Sequence, residues 1–246
     1  MPEVKIKSNV MNHLTFFALI FTTLVACNAN SSTKVPDKWD DVDTRSYEIS
    51  DFRYIHLEGG FKVVLQQSDK PGLSIKADED DFEYLDVEVH DEVLDIEIKD
   101  KHFTLDQIIL YIHFKELETL HIEGGVKLET QGYIELKDFY VHVEGGAKIE
   151  MDIKADNFKV VGQGGVCFNL EGISKSMNAL ASGAAYINAE NLKCERVEIK
   201  IEGVGAGFVY ATNYLDASIE GVGKITYKGD PEIHKNIGGL GFIAKN

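Results

Sequence analysis

The feature that most constrains the fold of this chain is a near-repeat of 21 residues in its middle. The segment HIEGGVKL, which begins at His121, returns as HVEGGAKI from His142. Glycine clusters continue at similar intervals, with steps of 21, 19, 19, 20 and 18 residues. Measured from Gly124, they fall at Gly145, Gly164, Gly183, Gly203 and Gly221. A period near 20 residues without a helical pattern is typical of short strands stacked in a solenoid.

The residues before each glycine cluster alternate between aliphatic and polar types, as in LHIE from Leu120 and VHVE from Val141. Successive side chains of a strand point to opposite faces, so the aliphatic residues would face a core and the polar residues solvent. A single turn cannot bury its apolar face alone, and successive turns should therefore pair as parallel strands. We predict an all-β solenoid with about 20 residues per turn, which the glycine steps set.

The first part of the domain is less regular but is also predicted to be β structure. Alternating segments such as 52–57 and 93–98 predict strands, and VHDEV from Val89 predicts a hairpin. No segment after residue 47 has the amphipathic period of a helix. The acidic run 78–81 lacks the alternating ligands and glycine of a calcium loop, which predicts a solvated loop.

The amino-terminal segment is typical of an exported protein. Lys5 and Lys7 precede an apolar run at 14–26, which is 13 residues long and too short to span a bilayer as a helix. The run ends in LVAC, which resembles the lipobox of bacterial lipoproteins, and the resemblance implies that Cys27 is lipidated after cleavage before it. Several acyl chains would anchor the protein stably. The alternative is an ordinary secretory signal with a chance cysteine.

These segments divide the chain into three predicted parts. Residues 1–26 are a lipoprotein signal peptide, residues 27–45 are the lipidated cysteine and a flexible tether, and residues 46–246 are the β domain. The predicted location is the cell envelope, with a lipid anchor in the outer membrane. The sequence leaves open whether the domain faces the periplasm or the cell surface, and which oligomeric state it has.

Composition excludes one class of partner. The chain has 246 residues, 44% of them hydrophobic, which is enough for a sizeable core. It carries 41 acidic and 25 basic residues, for a formal net charge of −16. Nucleic-acid binding would need clustered lysine and arginine, so no nucleic-acid partner is predicted.

Three segments carry a resemblance to a known family. They are DFRYIHLEGGFKVVLQQ from Asp51, ILYIHFKELETLHIEGG from Ile109, and ASIEGVGKITYKGDPEIHKNIGGLG from Ala217. Across residues 47–246 the chain resembles the auto-transporter adhesin head GIN domain family. The resemblance implies a right-handed parallel β-helix on an envelope lipoprotein or a secreted protein. It supplies no catalytic residues and no cofactor.

Histidines and glutamates supply the one set of candidate ligands. His121 and His142 should lie on adjacent turns, with Glu123 and Glu144 two residues on, and His56 precedes a similar glycine pair. Two imidazoles and two carboxylates on one face could bind Zn²⁺. The alternative is that these are ordinary outward-facing positions, where protonated histidine would relieve the stacked carboxylates. The following repeats carry no histidine there, so we predict no metal site.

The predicted function is a non-enzymatic binding module for a glycan or a protein surface, without a cofactor. The alternative is a polysaccharide lyase or hydrolase on the same scaffold. Only three arginines are available to hold acidic sugars, and no Gly-x-Ser-x-Gly, His-Glu-x-x-His or Cys-x-x-Cys motif occurs. Cys167 and Cys194 fall at different positions of their repeats, so no disulfide between them is predicted.

Overall fold

The computed structural model describes residues 42–99 and 108–246, which belong to one compact unit, Pro36–Asn246. The predicted signal peptide, Cys27 and the tether up to residue 41 lie outside the described residues. The described strands are β1 (Val42–Tyr47), β2 (Tyr54–Gln67), β3 (Gly72–Asp78), β4 (Leu85–His90), β5 (Val93–Ile98), β6 (Ile109–Phe114), β7 (Thr119–Thr130), β8 (Ile134–Lys228), β9 (Glu232–Ile237) and β10 (Leu240–Lys245).

These strands form a mixed sheet in the order β1-β3-β6-β2-β7-β8-β10. β3 pairs antiparallel with β1 and β6, and every later pair along this path is parallel. The β4–β5 hairpin joins the sheet through parallel pairing of β5 with β2, and β9 pairs in parallel with β8. The all-β prediction is confirmed, and the less regular amino-terminal part coincides with the antiparallel strands.

The 21-residue repeat of the sequence is the register offset between β7 and β8. His121 pairs with His142, and Gly124 pairs with Gly145. The same register extends to β2, where His56 pairs with His121. Equivalent residues of successive repeats therefore lie beside each other, as the alternating pattern predicted.

β8 is 95 residues long and lies alongside itself. At about 3.3 Å per residue, a straight strand of this length would extend for roughly 300 Å, far beyond the size of a domain. Instead, Gly164 lies against the carbonyl group of Gly145, and Gly183 lies against that of Gly164. Segments about 20 residues apart in β8 are thus direct neighbours.

A row of glycines marks where the backbone of one repeat comes closest to the next. Gly145 has φ of +127°, and a Cβ atom added to it would overlap the carbonyl oxygen of Gly124. Only glycine adopts this backbone conformation without steric cost and also leaves room for the neighbouring carbonyl group. The other members of this glycine row, each placed against the carbonyl oxygen of the preceding one, are Gly124, Gly164, Gly183, Gly203, Gly221 and Gly239.

Gly145→Ala is expected to lower the free energy of unfolding by about 2–4 kcal/mol, because it adds both backbone strain and overlap with Gly124. Gly146→Ala is the matched control, since a Cβ atom there meets nothing within 4 Å. Its effect should stay below about 1 kcal/mol. Urea unfolding followed by circular dichroism measures both, and equal losses in the two variants would contradict the role of the glycine row.

The core is a continuous array of aliphatic side chains from alternate strand positions. Ile122, Val143 and Leu128 are fully buried, whereas the polar residues between them are at least partly exposed. Phe139 and Phe158, which lie in adjacent repeats, stack with ring centroids 5.7 Å apart and planes within 9° of parallel. Such pairs add stability beyond the burial of their area.

Two local features of the amino-terminal half need separate mention. The predicted hairpin is confirmed, and its turn residues Asp91 and Glu92 both have positive φ, as a type I′ turn requires. The run 78–81 is not a solvated loop, because it leads into a 3₁₀ helix, Glu79–Tyr84, in which Asp81 and Phe82 are buried. Burial raises the pKa of the Asp81 carboxyl, with Asp78 and Asp80 adding to the effect.

The domain boundary and the cysteines complete the comparison with the sequence. β1 begins at Val42, so residues 42–45 belong to the sheet and not to the predicted tether. Cys167 and Cys194 are buried and form no disulfide, as predicted. Within the described ranges, no helix has the length and apolar character needed to cross a bilayer.

Candidate functional site

The parallel register brings three histidines of β2, β7 and β8 into one histidine ladder, consisting of His56, His121 and His142. The rings of His56 and His121 are 5.2 Å apart between centroids and nearly perpendicular, at 89°. Those of His121 and His142 are 4.8 Å apart at 67°. The sequence predicted the pairing of the last two, and the structure adds His56 at the side of His121.

Two glutamates face the ladder from the same strands. Glu123 Oε1 lies 3.2 Å from His121 Nε2 and 3.6 Å from His56 Nε2. Glu144 Oε1 lies 3.5 Å from His142 Nε2. All four residues named from the sequence, His121, His142, Glu123 and Glu144, are therefore together, and Glu123 lies between two imidazoles.

The ladder is bounded by polar partners that the repeat did not indicate. On β5, Asp95 Oδ1 lies 3.0 Å from His56 Nδ1. His90 Nε2 lies 3.8 Å from the other oxygen of Asp95. At the opposite end, the Gln163 side-chain amide lies 3.4 Å from His142 Nε2 and can donate a hydrogen bond to it. The two outer histidines thus have hydrogen-bond partners, and His121 lies between them.

His121 is the most constrained member of the ladder. Its Nε2 is buried and makes no hydrogen bond, although it is close to Glu123. Burial lowers the pKa of the imidazole below its ordinary value of 6.5, and the neighbouring His142 and His56 lower it further. Glu123 and Glu144 oppose the change. The ring is therefore held in its neutral form near neutral pH.

The lowered pKa of His121 predicts a loss of stability in acid. Because the unfolded chain takes up a proton more readily at this histidine, its contribution is complete above about pH 6.5 and is lost as the pH falls through the folded-state pKa. Urea unfolding in the presence of a chelator, compared at about pH 7.5 and about pH 5, should show a smaller acid loss in His121→Gln than in the wild type.

His234→Gln is the matched control, because His234 also lies two residues from a glutamate but is exposed and outside the ladder. This variant should keep the full acid loss of the wild type. If His121→Gln kept it as well, the predicted effect of burial on His121 would be wrong.

Farther along the same face, lysine replaces histidine as the partner of the carboxylates. Lys200 Nζ lies 2.6 Å from Glu202 and 3.0 Å from Glu220, and Ser182 donates a hydrogen bond to Glu202. The bond from Lys200, and then that from Ser182, lowers the pKa of Glu202. Stacked carboxylates of successive repeats are therefore compensated along this face.

A second surface feature is a long open groove, here called the corner groove, with a volume of about 1500 Å³. It is lined by corresponding parts of five successive segments and by four further residues. The lining residues are 115–118, 135–138, 154–156, 173–175 and 193–195, together with Arg53, Gln67, Thr212 and Asn213.

Charges of both signs alternate along the corner groove. Lys154 Nζ lies 2.7 Å from Glu135, and Lys175 Nζ lies 2.8 Å from Asp156, in each case between neighbouring repeats. Ile173 is an exposed apolar side chain among them. Sequence reasoning missed this groove because its residues differ from repeat to repeat, and only their spacing of about 19 residues could have indicated it.

A comparison with known protein families identifies the fold. A family model described as "Putative auto-transporter adhesin, head GIN domain" matches residues 51–231. The chain belongs to this family. A search of curated proteins finds no match. The GIN domain match includes the histidine ladder, most of the glycine row and the corner groove.

Solved structures resemble this GIN domain over most of their length. A putative adhesin from Bacteroides fragilis NCTC 9343 matches with a TM-score of 0.80 and 24% identity, covering 84% of this chain and 98% of that one. A putative lipid binding protein from Parabacteroides distasonis ATCC 8503 matches with a TM-score of 0.64 and 30% identity, covering 84% and 97%. A putative adhesin from Parabacteroides merdae ATCC 43184 gives 0.63 and 23%, covering 84% and 97%.

Proposed function

We propose that this chain is an outer-membrane lipoprotein whose GIN domain is a non-enzymatic binding module, with the corner groove as its contact surface. The ligand class that fits is an extended polar chain, either a glycan or a segment of a protein surface. The observation that carries the proposal is the groove itself, which follows five successive segments and presents alternating charges. The family adds to it, because adhesin-like domains belong to envelope or surface-associated proteins.

We further propose that the domain winds as a right-handed parallel β-helix. The in-register parallel pairs of β2, β7 and β8, and the contact of β8 with itself at the glycine row, support this winding. Crossovers between parallel strands of one sheet are right-handed in about 98% of cases, which supports the proposed hand. In such a helix one corner of each turn would fall on the same side, which agrees with a groove lined at regular intervals.

The charges of the corner groove favour binding over catalysis. Catalytic acids and bases need pKa values near the working pH. Among the described groove residues, hydrogen bonds to Glu118 and Asp156 raise the pKa values of Arg53 and Lys175, which keeps both fully charged. Burial raises the pKa of Cys194 to about 12, so its thiol is not a nucleophile at neutral pH.

The three arginines of the chain also have partners within the domain. Arg53 lies within ion-pair distance of Glu92, Glu116 and Glu118. Arg45 lies over the ring of Phe82, and Arg196 over that of Tyr214. A lyase or hydrolase acting on acidic polysaccharides would need basic residues directed at its substrate, which makes this alternative the weaker one.

Lipidation at Cys27 is expected to hold the protein in the membrane fraction. Labelled palmitate should be incorporated into the wild type, whereas Cys27→Ser should take up no label and should leave the membrane, because it has no acceptor thiol. Cys167→Ser is the matched control, since that thiol is buried in the domain, and it should be labelled like the wild type. Label in Cys27→Ser would contradict the anchor.

Binding through the corner groove is tested with the full-length chain carrying Cys27→Ser, purified in detergent and applied to arrays of glycans, lipids and envelope proteins. Ile173→Asp, within the groove, should reduce retention of the ligand at least tenfold, because it places a charge at an apolar contact. Ile237→Asp is the control, since Ile237 is also exposed but lies on β9, away from the groove. This variant should bind like the unaltered chain.

The same preparations separate the alternatives. Retained ligand without product supports a binding module, whereas release of shortened or unsaturated sugars would overturn it in favour of an enzyme. Retention on lipid alone would assign a function like that in the name of the Parabacteroides distasonis relative. Equal loss in Ile173→Asp and Ile237→Asp would remove the groove as the contact surface.

A further inference from the structure

We propose that His56, His121 and Glu123 form a binding site for one divalent transition-metal ion such as Zn²⁺. The site is separate from the corner groove, and it does not depend on the proposed binding function. It goes beyond the four residues that the repeat singles out, because it uses β2 and selects one of two overlapping sets of ligands.

The geometry places the ligand atoms close to the separation that a metal requires. The three atoms offered by His56, His121 and Glu123 lie within 4.8 Å of one another. Zinc–nitrogen bonds of about 2.0–2.1 Å in a tetrahedral site put neighbouring ligand atoms roughly 3.4 Å apart. The side chains are 31%, 32% and 45% exposed, so rotations that move each atom by about 1 Å can bring them to this distance.

The surroundings favour this set over the overlapping set of His121, His142 and Glu144. Asp95 accepts a hydrogen bond from Nδ1 of His56 at 3.0 Å, which leaves the lone pair of Nε2 directed at Glu123. A histidine held in this way by a carboxylate is the usual arrangement at zinc sites. Nε2 of His142, in contrast, already lies within hydrogen-bond distance of the amide of Gln163.

His121 supplies an independent indication of a ligand. Its Nε2 is buried and has no hydrogen-bond partner, which costs free energy unless another group satisfies it. A metal ion between His121 and Glu123 would satisfy this atom and would also separate the nitrogen from the carboxylate. The low pKa of the ring supplies the neutral imidazole that metal binding requires.

The ligand set indicates the class of ion. Two imidazoles and one carboxylate suit Zn²⁺, Cu²⁺ or Ni²⁺, whereas Ca²⁺ and Mg²⁺ prefer sites built from oxygen alone. Three protein ligands leave the fourth tetrahedral position for water or for a group from a binding partner.

The test is a calorimetric titration of ZnCl₂ into the full-length chain carrying Cys27→Ser in detergent, so that no exposed thiol competes for the metal. One Zn²⁺ per chain is expected. His56→Ala, His121→Ala and Glu123→Gln should each weaken binding at least tenfold, and Asp95→Asn should weaken it about 10- to 100-fold through His56. Co²⁺ in place of Zn²⁺ should give the visible absorption of a tetrahedral site.

Two variants serve as controls. His142→Ala should bind zinc like the unaltered chain, and so should His234→Ala, whose histidine is likewise two residues from a glutamate. Circular dichroism confirms that each variant is folded, and Asp95→Asn keeps all three ligands in place. Absence of saturable heat with the folded unaltered chain would overturn the proposal. A greater loss in His142→Ala than in His56→Ala would also overturn it, in favour of the other set.

Discussion

In-register pairing of parallel strands is the constraint from which the other features of this domain follow. It places the same residue type of successive repeats side by side, at the roughly 4.8 Å spacing of hydrogen-bonded strands. Aliphatic residues then bury one another, and the same rule brings Glu123 beside Glu144 and His121 beside His142. A sequence with this pairing must therefore tolerate like charges in contact or supply partners that relieve them.

The chain relieves its stacked charges in three ways. In the ladder, imidazoles lie beside the carboxylates, and along the same face Lys200 lies between Glu202 and Glu220. Elsewhere uncharged residues interrupt the row, as Ser182 does beside Glu202. These exposed pairs contribute little stability individually, but they allow a chain of net charge −16 to stack its repeats closely.

The sequence alone predicted the features that repeat. The spacing of Gly124 and Gly145 is the observed register, and the pairing of His121 with His142 followed from it. Asp95 could not be predicted, because it reaches His56 through a hairpin that inserts β5 beside β2 without any repeat. Burial of Asp81 was missed for a related reason, since a run of acidic residues gives no local sign of the 3₁₀ helix that turns one of them inward.

The glycine row also determines which changes in chain length the domain can accept. Its members are separated by 18 to 21 residues, so a surplus or missing residue is taken up elsewhere in the repeat while the glycines stay aligned. Duplication or deletion of one complete repeat would keep every remaining neighbour unchanged. The reach of such a module from the membrane could thus be adjusted in evolution by the number of repeats, independently of the chemistry that any one repeat displays.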